Sequence, residues 1–131
     1  MSSPAVVRAQ GQNGVALVIG NSKYKWEAQL PNVRRDAPDI TRVFRALGLK
    51  TELVQDASRS EMIAAIEKFG SDARGAGFAA FYFAGHGAYW NNAPNLVPVD
   101  ADLSEPNANA LVAPELVRKA TLPAAYKLRI F

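Results

Sequence analysis

The only histidine, His86, stands between two glycines in Gly85-His86-Gly87, directly after the apolar run of residues 77–84 (GFAAFYFA). An imidazole flanked this way has no neighbouring bulk and can be approached closely. Its ordinary pKa of about 6.5 suits proton transfer at neutral pH. Gly87 leaves a backbone N–H unobstructed, a donor for a developing oxyanion. The same three residues also make a tight turn whose histidine is merely polar and exposed, and the chemistry alone leaves both readings open. There is no cysteine, so these residues hold no thiol nucleophile, disulfide or thiolate metal site. One histidine and scattered acids give no metal-ligand cluster. Ser22, Ser58 and Ser60 stand in no motif that pairs them with His86.

Two acids also stand out. Asp36 immediately precedes Ile40, Val43, Phe44 and Leu47, which have the spacing of an amphipathic helix over residues 36–47. Asp is a favoured N-cap there. Asp100 reads as a turn-forming acid.

Buried strands are needed to position these groups. Residues 14–20 (GVALVIG) form a short apolar run bounded by glycines, which suits a strand covered on both faces. A loop over residues 21–32 leads to the helix of residues 36–47, with Gly48 as its C-terminal glycine. Residues 51–54 read as a second strand. Ser58 and Glu61 have capping-box spacing, Met62, Ile63, Ile66 and Phe69 form an apolar helix face, and Gly70 can end that helix. Residues 77–84 are the third strand, with Tyr82 and Phe83 in its core. Residues 91–94 read as a turn and 96–99 as a short extended piece, which Pro98 keeps from being a central strand. A helix over residues 111–120 has Pro114 in its first turn, and residues 126–131 begin a fourth strand.

This order predicts an α/β fold, a mostly parallel sheet flanked by helices through right-handed crossovers. Functional groups in such sheets gather at the carboxyl ends of the strands. Asn21 follows the first strand and His86 the third, so both belong to one edge.

The 131 residues fit one domain, residues 14–131, preceded by a small, polar stretch, 1–13, that reads as a flexible arm. Hydrophobic residues make up 49% and charged residues 21%, the balance of a globular chain. The longest apolar run is too short to span a bilayer, and no leader segment is visible, so a soluble, cytoplasmic protein is expected. The net charge is +3. Its basic pairs (Lys23 and Lys25, Arg34 and Arg35, Arg118 and Lys119) are scattered, which speaks against nucleic-acid binding.

Four pieces occur in order: residues 15–24 (VALVIGNSKY), Leu30-Pro31-Asn32 leading to Asp36-Ala37, residues 81–87 (FYFAGHG) and residues 96–100 (LVPVD). Together they resemble bacterial caspase-like proteins, including metacaspases and orthocaspases, over roughly residues 15–102. The resemblance implies a caspase-like three-layer sandwich in a truncated or minimal version, and a cysteine endopeptidase with a His/Cys dyad. His86 would be the dyad histidine, base to the thiol and acid to the leaving amine, and Gly87 the oxyanion donor. Asp36 falls where metacaspases line a primary specificity pocket for Arg or Lys, although Arg34 and Arg35 can neutralise it. Asp100 would orient a loop or help line that pocket. Tyr89 and Trp90 either wall a substrate groove or pack over the sheet edge. The partner implied is a basic peptide, and calcium is an option by resemblance only.

In that family the nucleophilic cysteine follows the fourth strand. Residues 127–131 resemble the opening of that strand, and the sequence ends there without a cysteine. Two readings result: the histidine-bearing piece of a longer Arg/Lys-directed peptidase, or a pseudo-enzyme that binds a basic peptide or a caspase-like partner. Either way the isolated chain is expected to lack peptidase activity. Four strands where the family has about six leave an unpaired edge, which points to a dimer or a docked partner. A flavodoxin-like nucleotide binder is a third reading, but no GxGxxG or Walker lysine supports it.

Overall fold

The computed structural model describes residues 14–104, 107 and 109–131; the expected arm over residues 1–13 lies outside them. The elements run β1 (Val15–Gly20), α1 (Pro31–Ala46), β2 (Lys50–Gln55), α2 (Arg59–Ala73), β3 (Phe78–Ala84), β4 (Gly87–Trp90), β5 (Ala93–Leu96), α3 (Pro114–Thr121) and β6 (Tyr126–Ile130). Strands β2-β1-β3-β6 form one parallel sheet, while β4 and β5 form an antiparallel hairpin.

Every residue of β1 is buried, because helices cover both faces of the sheet. On one face Leu17, Ile19 and Phe81 pack with Met62, Ile66 and Phe69 of α2 and Val117 of α3. On the other, Ala16, Val18 and Ala80 pack with Ala37 and Phe44 of α1. The result is the expected three-layer α/β sandwich. A smaller cluster of Tyr24, Val97, Ala101 and Leu111 sits apart from these two.

The structure corrects several boundaries. Helix α1 begins at Pro31 rather than Asp36, with Leu30 as N-cap and no side-chain cap. Proline is pre-set for the first helical position, where its missing N–H costs nothing. Asp36 therefore lies inside the helix and is not its cap. Pro38, further along, deprives the Arg34 carbonyl of its helical donor, and the Gln55 Nε2 donates to that carbonyl at 3.4 Å. The helix ends as expected, with Gly48 at φ +86°.

Helix α2 carries the anticipated capping box: Glu61 N–H donates to the Ser58 hydroxyl, and Ser58 N–H to the Glu61 carboxylate. It does not stop at Gly70 but runs on to Ala73. A Cβ on Gly70 would stand 3.2 Å from that of Ala120, so this glycine serves the contact with α3. Residues 87–90, read as loop, are a strand, closed onto β5 through Asn91 and Asn92, both at positive φ. Strand β6 forms as anticipated along β3 and exposes all five residues. Among the described residues no helix is long and apolar enough to cross a membrane.

Candidate active site

Strands β1 and β3 run side by side with Gly20 opposite Ala84, so the chain leaves both at one edge. Asn21 N–H donates to the Ala84 carbonyl at 2.8 Å, which ties the two exits together. The expected pairing of Asn21 and His86 at this edge is therefore present, but Asn21 has a structural role. It is fully buried. Its Oδ1 accepts from Ala57 N at 2.8 Å, and its Nδ2 donates to the Val97 carbonyl at 3.2 Å.

The loop from Asn21 to Leu30 folds back over the edge. Asp56, at φ +55° just past β2, accepts through one oxygen from Ser22 N at 3.0 Å, Lys23 N at 2.9 Å and the Ser22 hydroxyl at 3.2 Å. Further along, Lys25 N donates to the Val99 carbonyl and Leu30 N to the Ser22 carbonyl, both at 2.9 Å. The loop is thus pinned at both ends and in the middle.

His86 is half-buried under this loop. Its Nε2 lies 2.7 Å from the Ala28 carbonyl oxygen. A carbonyl only accepts, so Nε2 carries the proton and, in the neutral ring, Nδ1 carries the lone pair. The ring rests against that of Tyr24, centroids 4.5 Å apart and tilted by 55°. His86 N–H donates to the Tyr24 Oη at 2.8 Å, and that hydroxyl donates to the Val97 carbonyl at 2.9 Å. Burial first pushes the Tyr24 phenol up to about 12, against the hydrogen bond from His86 N–H that lowers it. The phenol is therefore neutral at any ordinary pH and able to donate.

Gly87 is exposed and opens β4 opposite Leu96. Val97 N–H donates to the His86 carbonyl at 3.0 Å, which makes the His86/Val97 position a hydrogen-bonded one. Antiparallel ladders alternate, so Gly87 occupies a non-bonded position and its N–H points away from β5. Pro94, opposite Tyr89, sits at another such position, where its missing N–H is not needed.

The other expected site residues are dispersed. Asp36 is exposed on α1 and lies near Tyr82, whose phenol is raised first by burial and then by the Asp36 charge. Asp100 accepts from Arg59 N at 3.0 Å and so holds the first residue of α2. Tyr89 is 76% exposed and does not pack over the sheet edge; Trp90 is 39% exposed. Among the described residues no three His, Asp or Glu side chains gather to hold a metal.

Sequence reasoning missed Tyr24, Ala28 and Asp56. Tyr24 lay inside the quoted VALVIGNSKY piece without a role. Ala28 acts through a carbonyl, which any residue type supplies.

The arrangement is a base at a sheet edge, with one ring nitrogen fixed by a carbonyl and the other left available. It can accept a proton at Nδ1 and hold the resulting imidazolium through Nε2–H. The Gly87 N–H, turned away from β5, stands one residue on.

Residues 13–126 match the family model described as the caspase domain. The human mucosa-associated lymphoid tissue lymphoma translocation protein 1 is 30% identical over 106 residues, 79% of this chain. The match covers 13% of that relative's length. With the fold, the histidine at the end of β3 and a match over most of its length, the chain belongs to the caspase-domain family.

Proposed function

We propose that the chain is the histidine-bearing part of a cysteine endopeptidase that cleaves after Arg or Lys, and that it has no peptidase activity by itself. The observation that carries this reading is the bond from His86 Nε2 to the Ala28 carbonyl, which leaves Nδ1 as the ring nitrogen able to act as a base. In the reaction, Nδ1 removes the proton of a thiol and the thiolate adds to the peptide carbonyl carbon. Gly87 N–H steadies the oxyanion, and the imidazolium returns its proton to the leaving amine. The 131 residues contain no thiol, so the acyl transfer needs a cysteine from elsewhere.

Asp36 supports the choice of substrate: its exposed carboxylate on α1 matches a guanidinium or ammonium. Among the described residues the neighbouring Arg34 and Arg35 form no salt bridge with it, and they compete for the same charge. Among the described residues strand β6 pairs with β3 alone, with Tyr126 64% exposed and Leu128 and Ile130 about as exposed as each other. That edge is suited to a second copy or a caspase-like partner.

The second reading is a peptide-binding module without turnover, which would use the exposed Asp36 carboxylate and no thiol. Fluorogenic peptide amides with Arg, Lys or Asp at the cleaved position test both. No turnover is expected from this chain, with Arg and Lys peptides bound more tightly than Asp and the preference lost in Asp36→Asn. Turnover abolished by His86→Ala would overturn the requirement for a thiol, and equal binding of all three would overturn the basic specificity.

A further inference from the structure

We propose that the Tyr24 hydroxyl is a positioning group for the His86 imidazole, acting by holding open the backbone ladder on which that residue sits. In an antiparallel pair, two residues at a hydrogen-bonded position exchange both their N–H···O bonds directly. His86 and Val97 occupy such a position, yet only half of the exchange is direct. Val97 N–H reaches the His86 carbonyl at 3.0 Å. On the other side the Tyr24 Oη is inserted, accepting from His86 N at 2.8 Å and donating to the Val97 carbonyl at 2.9 Å. The ladder is closed at the His86 carbonyl and wedged apart by one oxygen at its N–H, which rotates the peptide carrying His86 and sets the direction of its Cα–Cβ bond.

Three further observations agree. Tyr24 is 3% exposed, so its hydroxyl must be paired and cannot wander. A Cβ on Gly85 would stand 2.5 Å from the Tyr24 Oη, so the residue before the histidine is the one type that lets the oxygen enter. The Tyr24 ring also touches the imidazole it helps to orient. The competing account is that Tyr24 simply fills the small cluster with Val97, Ala101 and Leu111. Ring and hydroxyl separate the two accounts. Packing needs only the ring, whereas the wedge needs the oxygen.

Tyr24→Phe keeps the ring. Without the oxygen, His86 N–H can bond the Val97 carbonyl directly, so the ladder closes and the fold survives. The imidazole then turns away from the Ala28 carbonyl. Because the chain has a single histidine, proton and nitrogen NMR of the ring report on His86 alone. The wild-type Nε2–H should give a protected signal. In Tyr24→Phe its exchange with water should quicken by about tenfold or more, the scale of one lost hydrogen bond, while the His86 amide stays protected. Gly85→Ala, which drives a methyl against the hydroxyl, should give the same loss at the ring.

The proposal is overturned if Nε2–H remains protected in Tyr24→Phe, if that variant fails to fold, or if the wild-type ring proton exchanges freely. Its catalytic meaning rests on reading His86 as the base. The NMR result does not depend on turnover, so failure of the peptidase reading and failure of the wedge are seen in different experiments.

Discussion

Gly20 and Ala37 meet without room for another carbon: a Cβ on Gly20 would stand 2.5 Å from that of Ala37. The contact seats the early turns of α1, which carry Asp36, on the last residue of β1. Overpacking a tight contact costs about 1–3 kcal/mol. Gly20→Ala should lower stability to urea by that amount and, by lifting α1, weaken Arg-peptide binding as well. Unchanged stability would mean that α1 shifts freely, and Asp36 would then lack a fixed position.

Asn21 bonds two backbone groups, the Ala57 N–H and, together with Tyr24, the Val97 carbonyl. Leaving a buried donor unpaired costs about 1–3 kcal/mol. Asn21→Ala should destabilise the chain by about that much in denaturant unfolding. Asn21→Asp should do worse at neutral pH, because a carboxylate would face the Val97 carbonyl. If Asn21→Asp matched the wild type, the donation from Nδ2 would be of no consequence.

The sheet was legible in the sequence because β1 and β3 are continuous apolar runs between glycines, and the capping box of α2 because its two side chains sit at a fixed spacing. Helix α1 was read short for a physical reason. Its first turns carry Asn32, Arg34, Arg35 and Asp36, which bury little and leave no stripe, and its proline at position 38 leaves the Arg34 carbonyl to Gln55 of β2. Strand β4 has four residues and one partner strand, too little for a periodic pattern. The histidine was found from its glycine neighbours. Its supports were not, since one is a backbone carbonyl and another is a tyrosine from the far side of a loop.

The hairpin tip offers a gain in stability. Asn91 and Asn92 are at φ +52° and +60° between paired Trp90 and Ala93, the arrangement of a two-residue turn with both central residues left-handed. Asparagine tolerates this region, and glycine does so without a Cβ penalty. Asn92→Gly should raise stability by about 1 kcal/mol, the low end of the left-handed penalty for a residue with a Cβ, with an upward shift in melting temperature as the readout. A lower melting temperature would indicate that the Asn92 side chain makes a contact worth more than the strain.

Asp56 makes the chain sensitive to acid. Burial alone would raise its carboxyl, but the N–H groups of Lys23 and Ser22, the Ser22 hydroxyl and the Lys23 charge outweigh this and hold it below the ordinary 3.8. In the unfolded chain the carboxyl returns to that ordinary value, so the folded state binds the proton less readily. The stabilisation is therefore complete above the ordinary carboxyl range and is lost as pH falls through it and below. Asp56→Asn removes the charge while keeping a residue that accepts the positive φ. At neutral pH it should cost about 1 kcal/mol, the gap between charged and neutral hydrogen bonds, reduced by partial exposure. Unfolding midpoints across pH check this: the gap between wild type and variant should close in acid. A gap that persists there unchanged would mean that the charge of Asp56 does not hold the loop that carries Tyr24 and Ala28 to His86.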